Sequence, residues 1–192
     1  MLGALFGVVP FDLVMKQQIV VRHIVGYLTG FSVFVVGIPF GLYLVSANLD
    51  RYLPVNLIAG ARLRTGLSLL IGGAGIVFVA WSNLWLFFVG EGGPADWFGT
   101  QISPRSQRLV TTGPYRYTRN PMMFGALSSY FAMALYLNSA ICLGLVAAMS
   151  VGASIYLKAV EEKRLLRDFG DSYQRYRRTV SMLVPLPPRK NT

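Results

Sequence analysis

Charge is scarce in this chain: Asp, Glu, Lys and Arg make up 14% of its 192 residues, against roughly 25% in a soluble globular domain. Carboxylates are the scarcest, eight against 18 Lys and Arg. Histidine and cysteine occur once each, as His23 and Cys142. A lone cysteine excludes an intrachain disulfide, and its place inside an apolar run reads as packing, silent about redox compartment. One histidine argues against a His-rich zinc site and a Ser-His-Asp triad; His23 itself reads as an interfacial residue at a helix start. A cleavable leader would want a basic start and a small-residue cleavage site, and neither is present. Residues Met1 to Met15 are apolar but short, interrupted by Pro10 and Asp12, and read as an interfacial segment.

What the chain has instead is grease. Hydrophobic residues make up 54% and mean hydropathy is +0.50, which defines a membrane protein. Four apolar segments, Ile19 to Val45, Gly66 to Val89, Pro121 to Leu137 and Ser139 to Val160, lie near the ~20 residues a bilayer needs. The expected fold is all-α, a multi-pass transmembrane helical bundle of about four spans with a cytoplasmic C-terminal amphipathic helix. Pro39 marks a kink point in the first span, because proline removes a donor and clashes with the preceding turn. Glycines four apart, Gly26 with Gly30 and Gly37 with Gly41, and the cluster Gly72, Gly73 and Gly75, read as close helix packing. Residues 1–100 read as an N-terminal pair of spans. Residues 101–192 read as a C-terminal half of loop, helical hairpin and interfacial tail.

A formal net charge of +10 raises nucleic acid as a partner, but the cations gather beside apolar spans, as the positive-inside rule requires, and nucleic acid is set aside. With the N-terminus cytoplasmic, that side holds Lys16, Arg22, Arg105, Arg108, Arg116, Arg119 and the tail from Lys158 to Lys190. The other side holds Arg51, Arg62 and Arg64. Both termini are therefore expected in the cytoplasm.

Two polar clusters flank the last hairpin. Gly113-Pro114-Tyr115-Arg116-Tyr117-Thr118-Arg119-Asn120-Pro121 precedes the third span, and Glu161-Glu162 ends the fourth. An ionisable group at the edge of hydrocarbon is costly unless paired, hydrated or used, so its default reading is functional. Asn120 reads as an N-cap and Pro121 as the first helical residue. With Arg119 beside it, this helix start suits an anionic group. At α-helical spacing Glu161 shares a face with Leu157 and Leu165, while Glu162 stacks over Lys158 and Leu166. A carboxylate there suits an amino group or a ribose. Arg119, Glu161 and Glu162 are the residues expected to carry the chemistry. Gly170 is placed to end the following helix, and Tyr173, Tyr176, Arg175, Arg177 and Arg178 form an amphipathic segment that closes the site from below.

These residues resemble the isoprenylcysteine carboxyl methyltransferases and the related phospholipid N-methyltransferases, integral membrane enzymes that use S-adenosylmethionine. The resemblance runs from about Gln107 to Pro185. It is carried by Gln107-Arg108-Leu109-Val110-Thr111-Thr112-Gly113-Pro114-Tyr115, Arg119-Asn120-Pro121-Met122-Met123-Phe124-Gly125, Glu161-Glu162-Lys163-Arg164-Leu165, and Phe169-Gly170-Asp171-Ser172-Tyr173-Gln174-Arg175-Tyr176. It implies a cofactor pocket lined by Gln107, Arg108, Leu109, Val110, Tyr115, Asn120, Pro121, Met122, Met123 and Glu161. It further implies methyl transfer to a lipophilic acceptor, a lipid or prenylcysteine-like molecule, entering from the bilayer. The chain departs from the pattern at Asn120, where histidine is common, and at Met123, where tyrosine is usual. Leu157 stands where carboxyl-methylating members carry an arginine, so amine, hydroxyl and other acceptors stay open. An NADPH-dependent reductase of sterol-reductase type and a non-catalytic lipid-binding scaffold are the alternatives.

Overall fold

The computed structural model describes residues 20–21, 24–90, 96–97, 100–101 and 108–189. Met1 to Met15, Lys16, Arg22, His23, Arg105, Gln107 and Lys190 lie outside the described residues. The chain is a helical bundle, as expected. Helix α1 spans Ile24–Tyr52 and α2 spans Ala61–Gly90; both are long and apolar enough to cross a membrane. A two-residue antiparallel pair, Asp96–Trp97 with Thr100–Gln101, lies in the connection to the hairpin. Helix α3 is the shorter Pro121–Leu137 and α4 is Ala140–Tyr156. A π turn at Leu157–Glu161 carries α4 without a break into α5, Glu162–Thr179. The helical run Ala140–Thr179, broken by a kink at Gly170, is the third one long and apolar enough to cross.

Each boundary has a local cause. In α1 the stretch Phe31–Gly37 is π-helical and ends just before Pro39. In the i to i+5 pattern the donor for the Phe34 carbonyl would be Pro39, which has no N–H. The Tyr130 hydroxyl of α3 donates to that carbonyl at 2.6 Å, so the distortion expected at Pro39 also fastens α1 to the hairpin. Asn138 ends α3 in the left-handed region at φ 56, a conformation asparagine tolerates. Ser139 then caps α4, its Oγ accepting from the Cys142 N–H at 2.8 Å and donating to Asp50 Oδ1 at 2.8 Å.

The contact between α2 and α3 is close because two glycines face each other. A Cβ on Gly75 would stand 2.6 Å from the Gly125 carbonyl oxygen, and one on Gly125 would stand 2.5 Å from that of Gly75. The packing expected for α1 is not found at Gly30 and Gly41, which have open space beside them. A second cluster forms the main core: Leu42, Leu127, Tyr130, Ala134, Cys142 and Val146. Cys142 is fully buried there, which agrees with its reading as packing. Large apolar side chains on the outer faces, such as Leu69, Leu70, Phe88 and Ile155, are exposed, as lipid-facing residues must be.

Candidate active site

The site is built where α3 starts and α5 begins. Gly113 turns the incoming chain at φ +60 with its Cα against the Trp85 ring, and Trp85 Nε1 donates to Thr112 Oγ1 at 3.0 Å. A short 3-10 turn, Gly113–Arg116, follows. Residues 180–189 then cross this turn as a strap. Thr118 and Ser181 form a parallel bridge; the Arg119 N–H donates to the Ser181 carbonyl and the Leu186 N–H to the Tyr117 carbonyl, each at 2.9 Å. The buried Thr118 hydroxyl faces the carbonyls of Met182 and Leu183 at 3.2 and 2.8 Å.

Beneath the strap lies a buried ion pair. Arg119 Nη1 is 2.5 Å from Glu162 Oε1, with side chains only 8% and 5% exposed. The same nitrogen donates to the Tyr173 hydroxyl at 3.0 Å, and Arg177 Nε meets the other Glu162 oxygen at 3.2 Å. Tyr173, Tyr176 and Val180 form a buried cluster with Leu109, Leu165, Leu166 and Phe169 packed on it. The Tyr176 hydroxyl donates to the Tyr115 carbonyl at 2.6 Å. Burial pushes the Tyr115 hydroxyl well above the ordinary tyrosine range, and the nearby Tyr27 and Glu161 push the same way. Tyr115 therefore stays protonated, with Tyr27 of α1 among the groups near enough to influence it.

Two expectations are corrected. Asn120 does not cap α3, for its side chain makes no capping bond and Nδ2 donates instead to the Met182 carbonyl at 2.8 Å. The strap has taken the side chain that would have closed the helix start. The face assignment of the carboxylates also changes. At the π turn the Glu162 N–H bonds the Leu157 carbonyl, five residues back. That extra residue turns the helix by about 100°, so Glu162 is the buried carboxylate, 4% exposed. Glu161 is half-buried and pairs with Arg164.

Of the other residues singled out, Val110 and Pro121 are buried, Leu109, Met122 and Met123 are half-buried, and Arg108 is exposed. Leu109 joins the tyrosine cluster, whereas Met123 packs toward the main core. Tyr27 and the pairing role of Arg177 were missed. Nothing in a linear motif marks Tyr27, but Arg177 lies four residues after Tyr173, a spacing that puts both on one helical face.

A methyl donor such as S-adenosylmethionine brings a carboxylate, an amino group, hydroxyls and a sulfonium. Arg119 Nε is buried with no hydrogen-bond partner, and the first turn of α3 is uncapped by its Asn. A ligand carboxylate at this helix start satisfies both, and carboxylate and tyrosine partners stand beside it, so the residues fit. No group of three or more His, Cys, Asp or Glu placed to hold a metal occurs among the described residues.

Fold and site together define an integral membrane helical protein with a polar ion-pair cluster at one end of its bundle. A family model described as phospholipid methyltransferase matches residues 61–172, more than half of the sequence, and the chain belongs to that family. It is similar to methanethiol S-methyltransferase of Mycobacterium tuberculosis, 36% identical over 78 residues, 39% of this chain and 30% of the relative. It is also similar to methanethiol S-methyltransferase 2 of Bradyrhizobium diazoefficiens, 37% identical over 89 residues, 45% of this chain and 32% of the relative. The matches thus span about a third of these relatives' own length. No solved structure matches the chain.

Proposed function

We propose that this chain transfers a methyl group from S-adenosylmethionine to a lipophilic acceptor that reaches the site from the bilayer, with the site on the cytoplasmic side. The observation that carries the reading is the buried Arg119–Glu162 pair, closed from outside by the exposed Arg177, at the uncapped start of α3. S-adenosylmethionine supplies an electrophilic methyl group on a sulfonium. Arg119 and the first turn of α3 hold its carboxylate, and Glu161 holds its amino group or ribose. Tyrosine ring faces at Tyr115 and Tyr176 favour the sulfonium by cation–π attraction. Glu162 is a positioning residue, since both its oxygens are engaged by arginines that it fixes in place. The protein's task is then alignment and exclusion of water, and the strap over the pair serves the second.

The acceptor follows from what lies opposite. Leu157 is buried, 3% exposed, where carboxyl-methylating members carry arginine, so the site offers no cation there to a carboxylate acceptor. An apolar thiol, the acceptor named for both relatives, partitions into a bilayer and needs only to lose a proton. That proton can leave to water, with Glu161 kept for the donor.

Calorimetric titration of the detergent-purified protein with S-adenosylhomocysteine, with NADPH as paired control, tests the donor. Transfer of labelled methyl to a short alkyl thiol and to a prenylcysteine analogue in proteoliposomes tests the acceptor. Saturable binding of S-adenosylhomocysteine alone, with label on the thiol, is expected. Binding of NADPH alone restores the reductase reading, silence from both restores the scaffold, and label on the prenylcysteine carboxylate refutes the thiol assignment.

A further inference from the structure

Exposed residues of the strap and its neighbours form a second surface, distinct from the buried ion pair. Arg116, Arg178 and Arg189 are exposed on it, beside Tyr117, Val184 and Leu186, which are 39%, 57% and 49% exposed. Backbone bonds hold these residues together: Leu186 to Tyr117, and Arg189 to Thr179. Residues 108–121 and 172–189 contain no acidic residue. Among the described residues no carboxylate pairs with Arg116, Arg178 or Arg189. The cations therefore form a surface of one sign, assembled only when the strap lies across the 3-10 turn.

The depth of this surface is fixed by its apolar neighbours. Leu183 and Val184 line a shallow groove of about 280 Å³ with Phe124 and Phe131 of α3 and Leu143 of α4, on helices that cross the bilayer or line its core. Arg189 and Arg178 follow within a few residues of that groove. The strap thus runs along the level where hydrocarbon gives way to headgroups, where an exposed tyrosine and arginines with apolar stems belong.

We propose that this face docks the phosphates of anionic phospholipids, and that docking holds the strap closed over Arg119 and Glu162. The partner is a lipid because the complementary charge must lie in the membrane plane, and because the apolar half of the same segment is already turned to hydrocarbon. Guanidinium groups match phosphate oxygens bidentately, and basic residues near an anionic surface are each attracted by about 1 kcal/mol. Lipid that binds only the closed arrangement stabilises it by linkage. Ser181 and Met182, which hold the Arg119 backbone and the Asn120 side chain, belong to the strap, so donor affinity rises with it. That coupling rests on the donor site proposed above; the docking itself does not.

The test compares the full chain in nanodiscs of phosphatidylcholine and in discs where about a third is replaced by phosphatidylglycerol. Two quantities are read: amide exchange of residues 180–189, and S-adenosylhomocysteine affinity. Anionic discs should slow exchange and raise affinity roughly tenfold, as three such arginine contacts partly transmitted to the strap allow. The triple variant Arg116→Gln, Arg178→Gln, Arg189→Gln should keep its affinity in neutral discs and lose the response to anionic ones. Equal exchange in both discs overturns the docking, as does a triple variant that responds fully. So does a soluble polyphosphate that reproduces the effect in neutral discs, since the surface would then be a general anion trap. Slowed exchange without any donor binding in either disc supports the docking and counts against the donor site instead.

Discussion

Arg119 and Glu162 are 43 residues apart in sequence yet meet at 2.5 Å, both more than nine-tenths buried, and Arg177 closes the pair from the other side. The contact joins the turn before α3 to the first residue of α5. It is therefore both a fold element and the floor of the candidate site.

Removing one member leaves the other charge buried without compensation, which costs about 3–5 kcal/mol. Glu162→Gln should lower the thermal unfolding midpoint in detergent markedly and abolish S-adenosylhomocysteine binding. A paired Arg119→Leu, Glu162→Leu variant should regain much of the midpoint, because two apolar groups replace two charges, yet still not bind. If Glu162→Gln unfolds at the parent temperature, the pair is not a structural joint.

Glu161 should behave in the opposite way. Its pairing with Arg164 has side chains 21% and 19% exposed, shallower than the Arg119–Glu162 pair, so removing its charge costs less than breaking that pair. Glu161→Gln is expected to unfold closer to the parent than Glu162→Gln does, while losing at least tenfold in S-adenosylhomocysteine affinity, measured calorimetrically. Unchanged affinity would remove Glu161 from the site.

The contrast between these neighbouring carboxylates also marks where reading the sequence ran out. Helix α3, its start at Pro121 and its end at Asn138 were legible because proline, asparagine and hydropathy all act locally. The neighbourhood of Arg119 and the Glu-Glu pair was legible from the hairpin that brings its two ends together. Which glutamate is buried was not, since it depends on a single π turn whose phase shift no side-chain pattern announces. Asn120 was misread for a related reason: the acceptor that wins its amide, the Met182 carbonyl, lies 62 residues away. Gly170 did end a regular helix, at φ 50 and ψ −128, since a conformation that only glycine adopts cheaply is a local property.

Three glycines of α2 and α3 make a test of packing. Gly75→Ala and Gly125→Ala each drive a methyl to within about 2.6 Å of the facing backbone oxygen, which neither helix can relieve without parting. Each should cost about 1–3 kcal/mol, the usual overpacking range, and lower the unfolding midpoint. Gly73 lies two residues before Gly75 with open space at its Cβ, so Gly73→Ala should be neutral or stabilise by up to about 1 kcal/mol through helix propensity. A Gly73→Ala variant as damaged as Gly75→Ala would show that the close contact at Gly75 is not what makes its substitution costly.

Tyr130 offers a probe of the join between α1 and the hairpin, remote from the ion pair. Its hydroxyl supplies the Phe34 carbonyl with the donor that Pro39 lacks, and its ring lies in the main core, 5% exposed. Tyr130→Phe keeps the ring and deletes the donor, so the expected loss is that of one hydrogen bond, about 0.5–1.5 kcal/mol. Replacing Pro39 by Ala in the same chain gives residue 39 an N–H, and the double variant should recover part of the loss because the backbone then supplies the missing donor. Thermal unfolding of the four chains as a double-mutant cycle measures that coupling. Strict additivity would mean that the π stretch at Phe31–Gly37 is held by something other than the missing proline donor.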